Sequence, residues 1–390
     1  MKKYYRLTLV TLFSLFLTQL SNAQCNASIG LTTSGSKCGG TIQTAEPFLL
    51  INSDPRSAGM GDAGISISND ANAMHFNASQ LAFTDQKLGV SVSYTPWLTN
   101  LGVNDIYLAN ASSFYKFGKN SKQALGFSID YFSLGEFVYF NYNGIPVSTL
   151  KYRDLALSLA YARQINERLA IGISSKFISS NLYSNYQIAS NLSLTYKKPF
   201  ISKAGVNKGD LTIGTAISNI GGKMMVYASS DFLPTNLGIG FALNKPLNEK
   251  HRFVLALDFN KLLVPTPQPL STDPNRTWKE VSPITGILKS FTDAPGGFSE
   301  ELQEVNISMG VEYWFKNKIA LRSGYFYEDL SKGARQYFTS GVGFKYKNFG
   351  INVSYIIPSI NKRSPLDNTF RFSLAYSSKQ MSLHTTQRID

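Results

Sequence analysis

The sequence predicts an all-β fold, a transmembrane antiparallel β-barrel of about 14 strands. Three observations predict it. Apolar residues alternate with small or polar ones at period two, again and again from Lys87 onward. The number of such segments is even. Short and long connections between them alternate in a regular way. Residues i and i+2 share one face of a strand, so each segment has one oily and one polar face.

The chain opens on a targeting pattern. Lys2, Lys3 and Arg6 precede an apolar run from Leu7 to Leu20, and Ser21-Asn22-Ala23 supplies small residues for cleavage. The expected signal peptide is residues 1–23, because the apolar run is short for a membrane span of about 20 residues. Gln24 stands where a lipobox needs a small residue, so lipidation of Cys25 is not expected. In an exported chain Cys25 and Cys38 are expected to form one local disulfide.

Composition narrows the class. Charged residues make up 16% and aromatics 13%, against about 25% charged in an ordinary soluble domain. No second apolar run reaches about 18 residues, which argues against a helical membrane protein. The formal net charge is +13, and ten of those charges remain beyond the basic leader. With no basic block interleaved with aromatics, nucleic acid is not expected as a partner. Lipopolysaccharide and other anionic headgroups of the outer membrane suit the excess better.

The strands follow in order, centred on Val90, Ala111, Phe127, Leu157, Ile173, Leu192, Ile213, Ile239, Leu255, Met309, Leu321, Val342, Val353 and Phe372. Leu155, Leu157, Leu159 and Tyr161 oppose Ala156, Ser158, Ala160 and Ala162, and the others repeat the pattern. Oily faces end in Tyr94, Tyr161, Tyr196, Tyr313 and Tyr376, as in an aromatic girdle. Short connections, such as Gly118 to Lys122 and Lys316 to Lys318, follow even-numbered strands. Long ones (Ser133 to Leu150, Asn219 to Pro234, Lys261 to Glu304 and Pro358 to Asn368) follow odd-numbered strands. The stretch Lys198 to Lys208 is an exception. Short turns on the periplasmic side and long loops outside are the outer-membrane pattern.

The polar faces are rich in Gly, Ala and Ser, which leaves room in a lumen. Residues 24–86 are expected to supply an N-terminal extension with a hatch or plug between Pro47 and Phe83, its tight turns made by Arg56, Gly59, Gly61 and Gly64. The barrel proper is expected over 87–378 and a tail over 379–390. Within the long loop 261–304 the prolines predict a stiff start, and Val281 to Phe291 a short helix. Trp278, Ile287, Leu288, Phe291 and Phe298 give it an apolar character expected of a partner surface.

Catalytic signals are weak. His75, His251 and His384 do not cluster in sequence, no Ser–His pair sits two residues apart on a strand, and no phosphate loop follows a predicted strand. No catalytic residue, metal ligand or cofactor is assigned. Asp130, Asp154, Asp258 and Glu312 fall on polar faces, where Arg322 or Arg371 could meet them across the lumen.

The stretch Asp54-Pro55-Arg56-Ser57-Ala58-Gly59-Met60-Gly61-Asp62-Ala63-Gly64, with Asn77-Ala78-Ser79-Gln80-Leu81-Ala82, resembles the PorV/PorQ family of Bacteroidetes outer-membrane barrels. So do Lys261 to Pro267, Phe291 to Leu302 and Gly324-Tyr325-Phe326-Tyr327-Glu328-Asp329, which are nearest the PorV branch. One departure is Asn77-Ala78, where relatives commonly carry Asn-Pro. The resemblance implies a fourteen-stranded barrel, similar in fold to fatty-acid transporters, within the type IX secretion system. It further implies association with the SprA (Sov) translocon barrel, capture of cargo bearing a C-terminal secretion domain, and delivery to a PorU-type attachment complex. A transporter of small hydrophobic molecules is the alternative, and a lipid A-modifying enzyme a third reading.

Overall fold

In a computed structural model of the chain the described residues are 41–99, 102–118, 121–183, 185–201, 207–226, 229–267, 280–357 and 368–378, with two short paired strands, Cys25–Asn26 and Leu31–Thr32. The expected signal peptide, Cys38, the side chain of Cys25, Trp278 and the tail 379–390 lie outside them.

Fourteen antiparallel strands form one closed barrel. They are β1 (Leu88–Pro96), β2 (Ile106–Phe117), β3 (Gln123–Phe140), β4 (Pro146–Gln164), β5 (Leu169–Ser180), β6 (Asn185–Ile201) and β7 (Asn207–Gly221). The ring continues with β8 (Asn236–Pro246), β9 (His251–Leu262), β10 (Val305–Phe315), β11 (Ile319–Tyr327), β12 (Gln336–Tyr346), β13 (Phe349–Ile357) and β14 (Phe370–Ser377). Each strand pairs with its sequence neighbours, and β14 pairs with β1 in the register Phe372↔Tyr94 to close the ring.

The alternation is turned inside out relative to a soluble protein. Leu159 is 66% exposed and Val92 53%, while Ala156 and Ala162 are fully buried. Oily residues face outward to lipid, and small or polar ones face the lumen. Aromatic pairs on the outer face mark two rims. Tyr94, Tyr107 and Tyr131 lie side by side at the end from which the long connections leave, and Tyr325–Phe338 and Tyr355–Phe370 continue that rim. Phe117–Tyr161, Phe253–Tyr313 and Phe349–Tyr376 sit at the opposite, short-turn rim. Such girdles belong at the two lipid–water boundaries. The short-turn rim is the periplasmic one by the same rule.

Three connections differ from expectation. The segment expected as a long loop from Ser133 to Leu150 is mostly strand. β3 and β4 run on as a two-stranded ribbon well beyond the rim, with register shifts at Ser133/Gly135 and Tyr139/Phe140. Alternation fails as a guide there because both faces of the ribbon are exposed, so polar and apolar residues need not sort. The connection after β7 contains a small hairpin, Lys223–Val226 paired with Ser229–Phe232. The longest loop begins at Leu263, since Lys261 still pairs with Asn306's neighbour Val305 in β9–β10.

Residues 45–83 run through the lumen from the extracellular mouth to the periplasmic edge. At the top the Ala45 amide donates to the Phe232 carbonyl of the small hairpin. Phe48 and Leu49 bury themselves among Leu108, Phe132, Ile178, Met224 and Leu233. At the bottom Lys116 Nζ of β2 donates to the Ala82 and Thr84 carbonyls. Between these ends the segment folds into short helical turns, α1 (Pro55–Ala58), α2 (Ala73–Phe76) and a 3-10 turn (Ala78–Phe83). Asp54 caps α1 by accepting from the Arg56 and Ser57 amides.

Wall glycines let this segment press backbone against backbone. A Cβ on Gly324 of β11 would lie 2.0 Å from the Gly61 nitrogen, and one on Gly310 of β10 would lie 2.4 Å from Met60 Cβ. The departure at Asn77-Ala78 leaves the turn intact. Asn77 is extended (φ −158°) and accepts from the Ser79 amide, and Ala78 is the first residue of the 3-10 turn, a position where proline and alanine both fit. Ala78→Pro is therefore expected to raise stability by about 0.4–1 kcal/mol through the unfolded chain, seen as a higher melting temperature in detergent. Gly324→Val is expected to leave the barrel heat-modifiable on gels but to unseat the lumen segment, read as new trypsin cleavage after Arg56.

Candidate functional site

Two features of the fold are candidates for the functional site: what fills the lumen and what stands above it. The lumen segment is held by ion pairs to the wall. Glu312 of β10 is fully buried and accepts from Arg56 Nε at 3.0 Å and Nη2 at 2.9 Å, and from Arg322 Nε of β11 at 2.7 Å. Arg322 is the cross-strand neighbour of Glu312. Arg56 also donates to the Ile67 carbonyl and reaches Asp70 at 3.7 Å. On the flanking strands β9 and β12 of the same wall, Asp258 Oδ2 accepts from the Gly64 and Ile65 amides, and Thr339 Oγ1 accepts from the Gly61 amide. Asp62 accepts from the Tyr337 hydroxyl and lies 3.9 Å from Arg371.

The four expected turn residues thus have separate places. Arg56 grips Glu312. Gly59 lies over Gly341 of β12, where an added Cβ would meet the Gly341 Cα at 3.1 Å. Gly61 has φ +69° and inserts between the Met309 and Tyr325 carbonyls. Gly64 lies under the Phe76 ring. Of the lumen acids, only Glu312 meets Arg322. Asp130 instead accepts from Asn110, and Asp154 sits beside Glu46 in the upper lumen. Their partners lie on adjacent strands or on the lumen segment, which sequence alternation cannot rank.

Beside this segment the lumen narrows to a cavity of about 150 Å³ lined by Asn52, Lys176, Asn219, Asp258 and Asn260 among others. Small-molecule pockets ordinarily hold about 300–1,000 Å³ and are mainly apolar. His75 borders the cavity, and burial first and Lys176 second push its pKa down to about 3, so it stays neutral at physiological pH.

Above the rim the long loop is clamped by buried acids. Helices α3 (Pro283–Lys289) and α4 (Phe298–Gln303) form within it. Glu304 and Glu301 receive Lys261 Nζ at 2.6 and 2.8 Å. Lys332, from the β11–β12 loop, donates to Glu304 at 3.0 Å and to Glu300. Thr266 Oγ1 donates to Glu304 at 2.7 Å, and the Ala294 amide to Glu301 at 2.8 Å. Glu304 and Lys332 are buried, so the clamp is not a loose surface network.

This clamp holds an apolar face outward. Leu288 is 69% exposed and Phe298 77%, with Phe291, Ile284 and Leu302 beside them in the same loop. Ile287 is half-buried. The β3–β4 ribbon, unforeseen in the sequence, adds exposed Phe137, Val138, Phe140, Tyr142 and Val147. Its only sequence signal is the density of aromatics from Phe137 to Tyr142. The clamp acids were hidden for another reason: Glu300, Glu301 and Glu304 read as an ordinary solvated helix until Lys261 and Lys332 meet them.

The geometry also accounts for the Gly324-Tyr325-Phe326-Tyr327-Glu328 stretch. Gly324 admits the lumen segment, the Phe326 ring stacks on Tyr337 at 5.0 Å, and Glu328 takes both ends of the Arg335 guanidinium at 2.8 and 2.7 Å. One stretch thus seats the hatch and braces the loop above it. Glu312→Ala would leave Arg56 and Arg322 facing each other, an expected loss of about 3–5 kcal/mol. The companion change Arg322→Met should recover part of it, which thermal unfolding of single and double variants will read.

Among solved structures the fold is similar to many chains, three barrels among them. For the Ralstonia pickettii toluene transporter TbuX the TM-score is 0.49 at 14% identity, over 84% of this chain and 98% of that one. For a Pseudomonas aeruginosa FadL homologue it is 0.43 at 10% identity, over 88% and 100%. For the Pseudomonas putida toluene transporter TodX it is 0.44 at 15% identity, over 82% and 96%. No curated protein matches the chain. The family model "Type IX secretion system protein PorV" matches residues 35–269, more than half of the chain. It takes in the hatch with its glycines and the barrel wall through β9: the chain belongs to the PorV family, outer-membrane components of type IX secretion.

Proposed function

We propose that this barrel binds secreted proteins at the outer face of the membrane and carries them from the translocon to the attachment machinery, with its lumen plugged. The observation that carries the reading is the clamped loop. An apolar face held in water by buried ion pairs costs free energy unless a partner covers it. A loop anchored on Lys261 and Lys332 presents Leu288, Phe291 and Phe298 at little ordering cost on binding. The ribbon beside it widens that surface.

The reading assigns three partners by family membership. A SprA (Sov)-type translocon barrel supplies cargo, proteins with a C-terminal secretion domain are the cargo, and a PorU-type complex receives it. The binding face is non-catalytic, and the polar, occupied lumen disfavours passage of small hydrophobic molecules.

Replacing Leu288, Phe291 and Phe298 together by Asp tests the reading. The triple variant should keep a heat-modifiable barrel but lose at least tenfold in co-purification of secreted cargo from its own outer membrane. Recovery of cargo at the wild-type level would assign binding elsewhere.

A further inference from the structure

Among the described residues, two acids in the upper lumen have no basic partner. Glu46 precedes the 3-10 turn Pro47–Leu50 that covers the extracellular mouth, and its side chain makes no capping hydrogen bond. It is 1% exposed, and neither carboxylate oxygen has a well-formed hydrogen bond. Asp154 of β4 is the charged neighbour that acts on it and is also buried, with Oδ1 lacking a hydrogen-bond partner among the described residues. Ser180 of β5 is the cross-strand neighbour of Asp154. Its hydroxyl faces both carboxyls, is buried and is likewise without a well-formed hydrogen bond. Among the described residues neither acid forms an ion pair.

Two bare carboxylates in an apolar wall of Phe48, Ile178 and Leu233 are not a stable arrangement. Either a proton or a cation must offset the charge. Burial, and after it the charge of Asp154, pushes Glu46 up to about 8. Glu46 therefore holds a proton most of the time at neutral pH, and a doubly charged ion that offsets both carboxylates has to displace it.

We propose that Glu46, Asp154 and Ser180 form a calcium site that ties the N-terminal strap to the barrel wall. Hard oxygen donors without nitrogen or sulfur select calcium or magnesium. Magnesium needs a compact octahedron and retains several waters, which suits an apolar wall poorly. The site lies level with the outer girdle, since Leu155 next to Asp154 pairs with Tyr131, and so faces the side where calcium is plentiful. Bound calcium would fix the strap, Phe48 and Leu49 included, over the lumen.

Isothermal titration of calcium chloride into the full-length, EDTA-stripped barrel in detergent tests this. One site per chain is expected, with a dissociation constant on the order of 10⁻⁴–10⁻³ M, as in extracellular modules. E46Q and D154N should each weaken it at least tenfold while the barrel stays heat-modifiable. S180A, which keeps both charges, should weaken it severalfold and stands in if a charge variant fails to assemble. Equal calcium binding by wild type and all variants would mean that residual lipopolysaccharide takes the ion, and would overturn the site. So would the absence of binding by wild type, which leaves the pair neutralised by a proton.

Discussion

Hydrocarbon offers no hydrogen-bond partner, so every backbone amide and carbonyl at bilayer depth must be paired within the wall. The pairing of β14 with β1 meets that condition by leaving no edge. Closure then creates the next problem, because fourteen strands enclose more space than small inward side chains can fill. The lumen segment answers it. Its contact with the wall is main chain against main chain, at Gly61 and Gly324, with side chains removed from the approach. What looks like a weakly specified polar face is a socket shaped for one segment.

Inside that socket electrostatics fixes position where apolar packing cannot. Glu312 accepts three charge-assisted bonds from two arginines, one on the wall and one on the segment. A buried pair of this kind adds little net stability over an apolar substitute, but a shifted register leaves a bare charge in a dry place. The same logic governs the outer loop, where Lys261 and Lys332 share the carboxylates of α4 and its following residue. In both places the cost of misplacing a charge defines the geometry.

The wall was legible in the sequence because lipid enforces alternation on every strand: Leu155 to Tyr161 could be read face by face. Strand number and the sidedness of turns came from the same constraint. Past the rim the constraint ends, and so did the reading, as the β3–β4 ribbon and the small hairpin at Lys223–Phe232 attest. Arg56, Gly59, Gly61 and Gly64 could be singled out as a compact turn. Their partners could not, because Glu312 and Gly324 lie more than 240 residues away. Glu46 carried no sequence signal, since an acid before Pro47 reads as an exposed turn until the fold buries it.

The lumen segment runs the height of the barrel and joins directly to β1, one of the two strands of the closing seam. Its turns interlock with wall glycines on β10, β11 and β12, strands made late in the chain. A shut ring leaves little room to slide such a segment into register, because Met60 and Gly61 lie directly against the backbone of Gly310 and Gly324. A wall that wraps the segment before β14 reaches β1 avoids that passage. The plug is in this sense a mandrel, a form around which the curved sheet is bent, and the last hydrogen bonds of the ring lock in a choice made before closure.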